Sequence, residues 1–562
     1  MEPSSVSSNS APDIPLIAKE AAPARISHLL FFAGLVLIAL LATAALLRST
    51  PYGIGLVNDS ASYVNGAQNL LAGNGYTRTS GGGELKPITH FPPLFSIILG
   101  LMGAAGIDYL QGARGLIAVF FGLDAVLMGL MVYQVSRSMA FALLAAFILA
   151  VSDTFLKVYA YLLSEPLYLT LMLGTFLILG LYFENKSKKW LIASGFLIGL
   201  SYMARYAGIS LLFTVLLALI LLRGIRKTNL HFPFRPVAIL IASFLFPVLS
   251  WSVINALISP QVEAGLIGNR QIAWHPISLS TLFNSLKNLL TWSAPDVLLK
   301  SLPVFGSVIS LLSLLSLGVL ILWLAWVVWH RWKYQETSSL ERSQISLAIS
   351  LGLHIPVYLV FLIISISFLD ASTPLDDRIF TPIFVLGLAL LCSGLAWFWS
   401  RAGRLEKTNH KNLIRIGILI ASIFLFLTGA RDGQAVVNDL GREGLGFTHR
   451  GTSQSPALQV IKGMPESLVL YSNRPTALLL LANRPAYILP ARLDPVTQQL
   501  RPDFQTQMDE MQAQIISGKA ALVIFDMRNS DDPQEVEDFK AVTNGLPILA
   551  DFGGIIIFFV EE

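Results

Sequence analysis

Residues 28–47 read HLLFFAGLVLIALLATAALL and contain no Asp, Glu, Lys or Arg. About twenty apolar residues in an α-helix are long enough to cross the hydrocarbon core of a bilayer. We predict a permanent membrane helix here, because a cleaved signal peptide has a shorter apolar core and a small-residue cleavage site. The preceding residues 1–26 are rich in Ser, Pro and Ala, and we expect them to form a disordered cytoplasmic N-terminus.

The composition of the whole chain is typical of a membrane protein. Of its 562 residues, 54% are hydrophobic and 13% are charged, against about 45–50% and about 25% in soluble domains. The net charge of +4 is small, and the basic residues cluster between apolar stretches, which indicates membrane orientation and not nucleic-acid binding. The single cysteine, Cys392, excludes an intrachain disulfide and a cysteine-based metal site.

Further apolar stretches recur after residue 47, so the sequence predicts a polytopic α-helical membrane protein with about eleven transmembrane helices. These stretches are residues 115–135, 140–151, 166–183, 190–203, 207–222, 237–258, 303–329, 345–368, 380–399 and 413–428. We assign residues 27–430 to this transmembrane domain.

The basic residues between the apolar stretches set the orientation, because positive charge marks the cytoplasmic side. The most basic segments are Arg137 and residues 186–189, 223–235, 331–333 and 401–415. They share one side with the N-terminus only if residues 94–106 do not cross the membrane, so we expect that stretch to lie along or dip into the outer surface. The first loop, residues 49–114, and residues 431–562 are then outside, in a multi-pass protein of the cell (inner) membrane.

The C-terminal residues 431–562 differ in composition from the rest, with more Pro, Gln, Asp and Arg. Short apolar runs alternate there with helix-compatible stretches, which predicts a small extracytoplasmic α/β domain. The apolar runs are residues 468–471, 486–489, 521–525 and 555–560, and the helix-compatible stretches are residues 476–481 and 504–516.

The first loop carries an acid in a recognisable setting. It contains Asp59-x-x-x-Tyr63 and, further on, His90-x-Pro92-Pro93-Leu94. A carboxylate beside the bilayer, between water and a lipid reservoir, suits an enzyme that moves a sugar from a lipid carrier to an acceptor hydroxyl. Such a transfer needs a base for the acceptor proton and positive charge for the departing lipid phosphate.

These first-loop motifs, with Gly73-x-Gly75-Tyr76 between them, resemble the first outer loop of the GT-C glycosyltransferases. The most similar branch contains the protein O-mannosyltransferases, the aminoarabinose transferases of lipid A and the rhizobial galacturonosyltransferases. The resemblance extends over about residues 28–400. Further matching motifs are Ala113-Arg114, Ser164-Glu165-Pro166-Leu167, Met203-Ala204-Arg205-Tyr206 and Asp377-Arg378-Ile379-Phe380-Thr381-Pro382.

The resemblance implies an integral-membrane hexosyl- or pentosyltransferase with an acid of the first outer loop as its catalytic base. Its donor is a sugar on a polyprenyl phosphate, and its acceptor is a lipid, a glycan or a protein. The relatives often carry a basic residue directly before Pro-Pro, whereas Phe91 stands there in this chain, with His90 and Lys86 upstream. The residue that meets the donor phosphate is therefore left open.

Two acids are candidates for the chemistry. Asp59 is our general base, although Asn58-Asp59-Ser60 is also a good N-cap signal for an amphipathic helix. Glu165 could orient the acceptor or a base, and it is the next candidate for the base itself if Asp59 is not the base. Alternatively, Glu165 is an ordinary helix-start acid that the helix dipole favours, with Pro166 at the first helical position.

Two arginines are candidates for binding the donor phosphate. The planar fork of Arg378 suits phosphate oxygens, and the alternative is an ion pair with its neighbours Asp376 and Asp377. Arg205 lies in a short turn on the side where basic residues are disfavoured, so it needs a partner there. That partner is either the carrier phosphate or one of the two candidate acids.

The first loop supplies three more candidates for substrate binding. His90 could contact the acceptor or the phosphate, or be an ordinary interfacial histidine. Lys86 shares the phosphate hypothesis, but a lysine in a Gly-rich loop is often simply solvated. Tyr63 belongs to the motif that contains the predicted base, and we place it with the substrate-binding residues.

Neither paired carboxylates nor histidines at i, i+4 appear near Asp59, so we predict no metal site. A divalent ion bridged by Asp59 and Glu165 stays open as an alternative.

Membrane lipid is an expected partner of the protein. The alternative function is a transporter or flippase of a lipid-linked or amphipathic substrate, and a non-catalytic scaffold is a third. A transporter should hide charges near the bilayer midplane. Most candidates lie at the outer edge instead, with Asp124 as an exception.

Overall fold

The structure is a computed structural model that describes residues 21–224, 233–258, 274, 338–369, 375–405, 407–492, 500–526, 539–540 and 542–560. Its first part is a helical bundle. In chain order the helices of this bundle and its first loop are α1 (Ala21–Ser49), α2 (Asn58–Leu71), α3 (Leu94–Ala104), α4 (Tyr109–Ser136), α5 (Met139–Val151), α6 (Asp153–Tyr159), α7 (Glu165–Asn185), α8 (Lys188–Ala204), α9 (Ile209–Gly224), α10 (Phe234–Ile258), α11 (Ser339–Phe368), α12 (Asp377–Ala402) and α13 (Thr408–Glu443).

Within the described residues, 7 helices are long and apolar enough to cross a membrane, and α5 with α6 makes an eighth candidate bent by 57°. The predicted class of polytopic α-helical membrane protein is therefore confirmed. The predicted stretches 190–203 and 207–222 are also helical, in α8 and α9, but these helices have only 17 and 16 residues. The stretch 303–329 lies outside the described residues, so the count of eleven stays a prediction.

Helix α3 corresponds to the stretch that we expected not to cross the membrane. It has 11 residues, which at about 1.5 Å per residue span only about half of the hydrocarbon thickness. The chain then turns at Gly106, and Asp108 caps α4 by accepting hydrogen bonds from the backbone N–H groups of Leu110 and Gln111. A full crossing at α3 is excluded by its length.

Consecutive helices of the bundle are joined by sharp turns that fold them into hairpins. Arg137 ends α4 and Lys186 ends α7 with left-handed backbone conformations, at φ angles of 56° and 53°. Helix α8 then packs back along α7. As a result, the first residue of α7, Glu165, and the residue after α8, Arg205, lie at the same end of the bundle.

Asp124 is a fully buried acid inside α4. The hydroxyl of Tyr159, at the end of α6, donates a hydrogen bond to Asp124 Oδ2. This bond ties the end of α6 to α4 and fixes the segment that leads into α7. The intramembrane acid that could have indicated a transport pathway therefore has a structural partner.

The C-terminal part is an α/β unit, as predicted. The remaining elements of the structure, with the strands numbered from the first-loop hairpin onward, are β1 (Thr77–Thr79), β2 (Leu85–Pro87), α14 (Arg450–Ser453), α15 (Ala457–Gly463), β3 (Val469–Ser472), α16 (Pro475–Ala482), β4 (Tyr487–Ile488), α17 (Phe504–Ile516), β5 (Ala520–Phe525), β6 (Ile548–Asp551) and β7 (Ile555–Phe558). The unit is built on a five-stranded sheet in the order β4-β3-β5-β7-β6. Strands β3, β4 and β5 are parallel, and β7 is antiparallel to both β5 and β6.

The sheet is covered by apolar side chains on both faces. Strand β5 is buried at every residue, and its side chains alternate between the faces. Leu522 and Ile524 pack in one cluster with Met511 of α17. Ala521 and Val523 belong to the same hydrophobic core as the membrane helices. The sheet is thus joined to the bundle by a continuous apolar core.

Backbone pairing also attaches the first loop to the C-terminal unit. Leu56 pairs with Gly446 in a parallel bridge, and α2 packs against α16. The Thr476 hydroxyl lies 2.5 Å from Asn58 Oδ1. The first loop and the sheet therefore lie on the same side of the bundle. The sequence places the domain boundary at residue 431, which lies within helix α13 in the structure. The division of the chain into domains stays a prediction.

Candidate functional site

Helix α2, which carries Asp59, is attached by hydrogen bonds to the segment between α6 and α7. Gly55 forms a parallel bridge with Tyr161, and its N–H donates to the Ala160 carbonyl at 2.8 Å. A side chain at Gly55 would meet that carbonyl oxygen. The buried hydroxyl of Ser60 donates a hydrogen bond to the Leu162 carbonyl at 2.9 Å. It also accepts one from the backbone N–H of Val57, the N-cap of α2, at 3.0 Å. These bonds fix Asp59 relative to Glu165.

Removal of the Ser60 hydroxyl should weaken the attachment of α2 to the segment between α6 and α7. In Ser60→Ala the carbonyl of Leu162 and the N–H of Val57 lose their partner in a buried setting, which costs about 1–3 kcal/mol. We expect a lower midpoint of thermal unfolding for the purified protein in nanodiscs. The matched control is Ser62→Ala, because Ser62 is buried nearby and makes no side-chain hydrogen bond among the described residues. Equal midpoints for the two variants would contradict this role of Ser60.

Asp59 lies in the first turn of α2 and its side chain is 28% exposed. Val57, and not Asp59, occupies the N-cap position. The carboxylate instead accepts a hydrogen bond from Arg378, with 2.8 Å between Oδ2 and Nη1. The capping role that the sequence left as an alternative for Asp59 is therefore wrong.

Glu165 is the first residue of α7, with Pro166 in the position that favours a helix start. Its side chain is only 4% exposed, and Oε1 lies 2.6 Å from Nη1 of Arg205 and 3.3 Å from Nε of Arg378. Neither carboxylate oxygen has an aligned hydrogen bond among the described residues. Because a buried carboxylate is costly without opposite charge, the two arginines account for its burial.

Arg205 caps α8 in an extended conformation, and its side chain is 21% exposed. The ion pair with Glu165, which the sequence left as an alternative, is present. Burial by itself lowers the pKa of Arg205, but the surrounding groups, of which Glu165 contributes most, together outweigh burial, and the net pKa is raised. The next residue, Tyr206, donates from its hydroxyl to the Thr89 carbonyl at 3.0 Å, which links this turn to the first loop.

Arg378 is the second residue of α12, and the structure shows why the helix starts there. Asp376 is the N-cap, and its Oδ1 accepts from the N–H of Ile379 at 3.1 Å. The hydroxyl of Tyr358 donates to the carbonyl of Ile379 at 2.9 Å. The predicted alternative, an ion pair of Arg378 with its neighbouring aspartates, is not what the structure has, because Asp376 caps the backbone and Arg378 turns to Asp59 and Glu165.

These four residues form one charged cluster, which we call the Asp59 cluster: Asp59, Glu165, Arg205 and Arg378. It joins four segments of the chain at one end of the bundle, and its two acids and two arginines balance in formal charge. Opposite charges at such distances are held together strongly where water is partly excluded. The sequence named all four residues, and the structure brings all four together.

Tyr63 lies directly beside this cluster. It is 2% exposed, and its hydroxyl lies 2.7 Å from Oγ of Ser164, the residue before Glu165. Burial, and after it the charge of Glu165, raises the pKa of the Tyr63 phenol, so the hydroxyl keeps its proton. Tyr63 therefore connects α2 to the start of α7.

His90 and Lys86 lie further from the cluster. The exposed ring of His90 packs edge-on against Phe91, whose ring packs in the same manner against Tyr63. Lys86 lies on β2, is 56% exposed and pairs with Glu84 at 3.8 Å. The structure brings neither side chain into the Asp59 cluster, and their assignment to substrate binding stays a prediction.

Three residues that support the site were missed in the sequence. Ser60 and Ser164 hold α2 and α7 together, and Tyr358 supports the backbone next to Arg378. A tyrosine inside an apolar run is typical of helix packing, and serines near a helix start are common. Ser164 falls within a motif of the family resemblance, but nothing in the sequence separates the supporting role of any of the three from ordinary helix packing.

The described residues contain no group of three or more His, Cys, Asp and Glu side chains arranged to hold a metal ion. The divalent ion that the sequence left open would bridge Asp59 and Glu165. In the structure the guanidinium of Arg378 contacts both carboxylates. This arrangement supplies positive charge at the position proposed for the ion.

Two kinds of comparison with known proteins agree on the fold. Residues 92–251 match the family model of dolichyl-phosphate-mannose-protein mannosyltransferases, which is less than a third of the chain. The structure is similar to ArnT from Cupriavidus metallidurans bound to undecaprenyl phosphate, with a TM-score of 0.55 over 93% of this chain and 97% of that chain, at 12% sequence identity. The chain has the GT-C fold. The resemblance predicted from the sequence is thereby confirmed.

Other solved structures share the GT-C fold with this chain. ArnT in the apo state has a TM-score of 0.55 at 13% identity, with 95% of this chain and 98% of that chain covered. A variant of the arabinofuranosyltransferase AftD from Mycobacteria has a TM-score of 0.50 at 14% identity, and the match covers 94% of this chain but only 41% of AftD. A search of curated protein sequences finds no match.

Proposed function

We propose that the chain is a glycosyltransferase that moves a sugar from a polyprenyl-phosphate donor to a hydroxyl of a lipid, glycan or protein acceptor. The observation that supports this most directly is the Asp59 cluster, in which an accessible carboxylate and two arginines meet at one end of a GT-C fold. A base and a phosphate-binding charge are the two requirements of the reaction. The ArnT structure with bound undecaprenyl phosphate is consistent with a lipid phosphate as donor carrier.

Asp59 is the better base of the two acids. Its side chain is 28% exposed, so an acceptor hydroxyl can reach it, whereas Glu165 is 4% exposed and enclosed by two arginines. In the reaction the acceptor oxygen attacks the anomeric carbon, and the bond from that carbon to the phosphate oxygen breaks. The acceptor proton goes to Asp59, and the electron pair leaves with the phosphate.

The leaving group is a polyprenyl phosphate, which gains negative charge as the glycosidic bond breaks. Arg378 and Arg205 are 24% and 21% exposed, and a guanidinium can donate two parallel hydrogen bonds to phosphate oxygens. Glu165 contacts both arginines through Oε1 and so keeps their guanidinium groups close together. We assign it a positioning role, because its burial leaves little access for an acceptor.

The outer face of the cytoplasmic membrane is the proposed location of the site. The most basic loops mark the opposite end of the bundle as cytoplasmic. Arg137 and Lys186, which end α4 and α7, belong to those basic loops and lie at the ends of helices far from Glu165. The C-terminal α/β unit, which contacts α2 through α16, then lies on the extracytoplasmic side.

A transporter or flippase is the alternative. It would place charged groups and broken helices near the bilayer midplane. The charged groups of the Asp59 cluster instead lie at helix ends, and Asp124 is held by Tyr159. The geometry therefore favours the enzyme.

The proposed function predicts sugar transfer by the wild-type protein in purified membranes. Radiolabelled polyprenyl-phosphate sugars, hexosyl and pentosyl, are supplied as a panel, and label in lipid, glycan and protein fractions is counted. We expect at least one donor to yield a labelled acceptor and free polyprenyl phosphate in equal amounts. Movement of the intact donor between leaflets, without cleavage, would instead support the transporter.

A further inference from the structure

Arg378 has two partners in the structure that limit what the site can do in this state. Its Nη1 lies 2.8 Å from Asp59 Oδ2, and its Nε lies 3.3 Å from Glu165 Oε1. The oxygen of Asp59 that faces the cluster is therefore engaged. While this pair exists, Arg378 occupies the hydrogen-bonding position on Asp59 Oδ2 that an acceptor hydroxyl would need.

The roles assigned to Arg378 and Asp59 conflict in this arrangement. Arg378 should face the donor phosphate, and Asp59 should face the acceptor hydroxyl, but here they neutralise each other. Arginine has five N–H donors, and only the Nη1 side is directed at Asp59. The contact with Glu165 involves Nε, so the guanidinium can change its Nη partner without leaving the cluster.

We propose that the donor phosphate displaces Asp59 from Arg378 and thereby frees the base only after the donor has bound. This inference rests on the proposed function and adds an order of events to it. Glu165 keeps Arg378 and Arg205 in place during the exchange. Before the donor binds, Arg378 is paired with Asp59. After the donor has bound, Arg378 contacts the phosphate, and Asp59 Oδ2 can accept the proton of the acceptor hydroxyl.

The exchange has a thermodynamic consequence of definite sign. If the phosphate must compete with Asp59 for Arg378, part of its binding free energy is used to break the ion pair. Removal of the competitor's negative charge should therefore tighten phosphate binding, as when a protein is shifted toward its binding-competent state. Since the pair is partly exposed, we expect Asp59→Asn to bind polyprenyl phosphate about 2–5-fold more tightly than the wild type.

A general electrostatic effect has the same sign and must be separated from the exchange. Loss of any nearby negative charge favours an anion, whether or not Arg378 changes partner. Two variants distinguish the two causes. Asp377→Asn removes an acid adjacent to Arg378 that lies outside the cluster, and Arg378→Gln removes the group for which Asp59 and the phosphate compete.

The experiment measures binding of undecaprenyl phosphate to the full-length protein in phosphatidylcholine nanodiscs by native mass spectrometry. Tighter binding in Asp59→Asn, absence of that gain in the Arg378→Gln background, and little gain in Asp377→Asn would support the exchange. Asp59→Ser carries the same expectation and serves if Asp59→Asn does not fold.

Several results would overturn the exchange. These are equal affinity in the wild type and both Asp59 variants, a gain that persists without Arg378, and an equal gain in Asp377→Asn. Weaker binding in Asp59→Asn would mean that Asp59 helps to hold the phosphate, and would overturn it as well. A wild type that binds no undecaprenyl phosphate also contradicts it, and the transfer assay with the donor panel decides separately whether the proposed function stands.

Discussion

Asp59→Asn is expected to reduce sugar transfer by about 10²–10⁴-fold, the range in which general-base assistance contributes to a rate. Asparagine preserves the size of the side chain and an oxygen that can accept from Arg378, so the protein should fold normally. The measurement is the initial rate of transfer from the best donor of the panel, at saturating donor, with the midpoint of thermal unfolding recorded for each preparation.

The matched control is Glu84→Gln, another acid of the first loop. Among the residues that the structure describes, the Glu84 side chain pairs only with the exposed Lys86, at 3.8 Å, and is itself 68% exposed. Such surface pairs contribute about 0–1 kcal/mol, and the change should leave the transfer rate within about twofold of the wild type. An Asp59→Asn variant that transfers sugar as fast as this control would place the base elsewhere.

Glu165→Gln should have the second large effect, on stability as well as on transfer. The change leaves Arg205 and Arg378 close together without the carboxylate that neutralises them. Removal of one partner from a buried ion pair typically costs about 3–5 kcal/mol, because the remaining charge is left uncompensated. We expect a clearly lower midpoint of thermal unfolding and loss of transfer, since both arginines lose their position.

The control for Glu165 lies on the same helix. Glu184, near the opposite end of α7, pairs with Arg137, and their side chains are 23% and 36% exposed. Glu184→Gln should cost about 0–1 kcal/mol and leave transfer unchanged. If both glutamine variants lowered the midpoint equally, the buried cluster would have no special contribution to stability, and the role of Glu165 would have to be abandoned.

The features of the fold that could be predicted are those that depend on short stretches of sequence. The spans follow from apolar runs long enough to cross a bilayer, and the basic turns at Arg137 and Lys186 end helices where the sequence indicates. In the C-terminal unit, strand β5 was recognisable because all of its residues are apolar. Strand β6, Ile548–Asp551, was not, since it lies at the sheet edge, is largely exposed and contains an acid.

The candidate site was predictable residue by residue but not in its pairing. Glu165 and Arg205 stood out because an ionisable group at a helix end near the membrane needs a partner. Asp59 stood out through the first-loop motif of the family resemblance, and Arg378 through its planar fork, which suits a phosphate. Which group is that partner depends on how α2, α7, α8 and α12 pack, and no spacing in the sequence encodes that. Tyr358 illustrates the same limit, because its hydroxyl acts on a carbonyl from the next helix of the chain.

The long separation of the paired residues also bears on how the protein is made. Asp59 and Arg378 are 319 residues apart, so at about 5–20 residues per second a ribosome adds Arg378 roughly 15–60 s after Asp59. The bridge from Leu56 to Gly446 forms later still. A nascent chain whose first helices are already inserted therefore lacks the paired cluster until the start of α12, with Arg378, has been synthesised, and the bridge to the α/β unit follows only after α13.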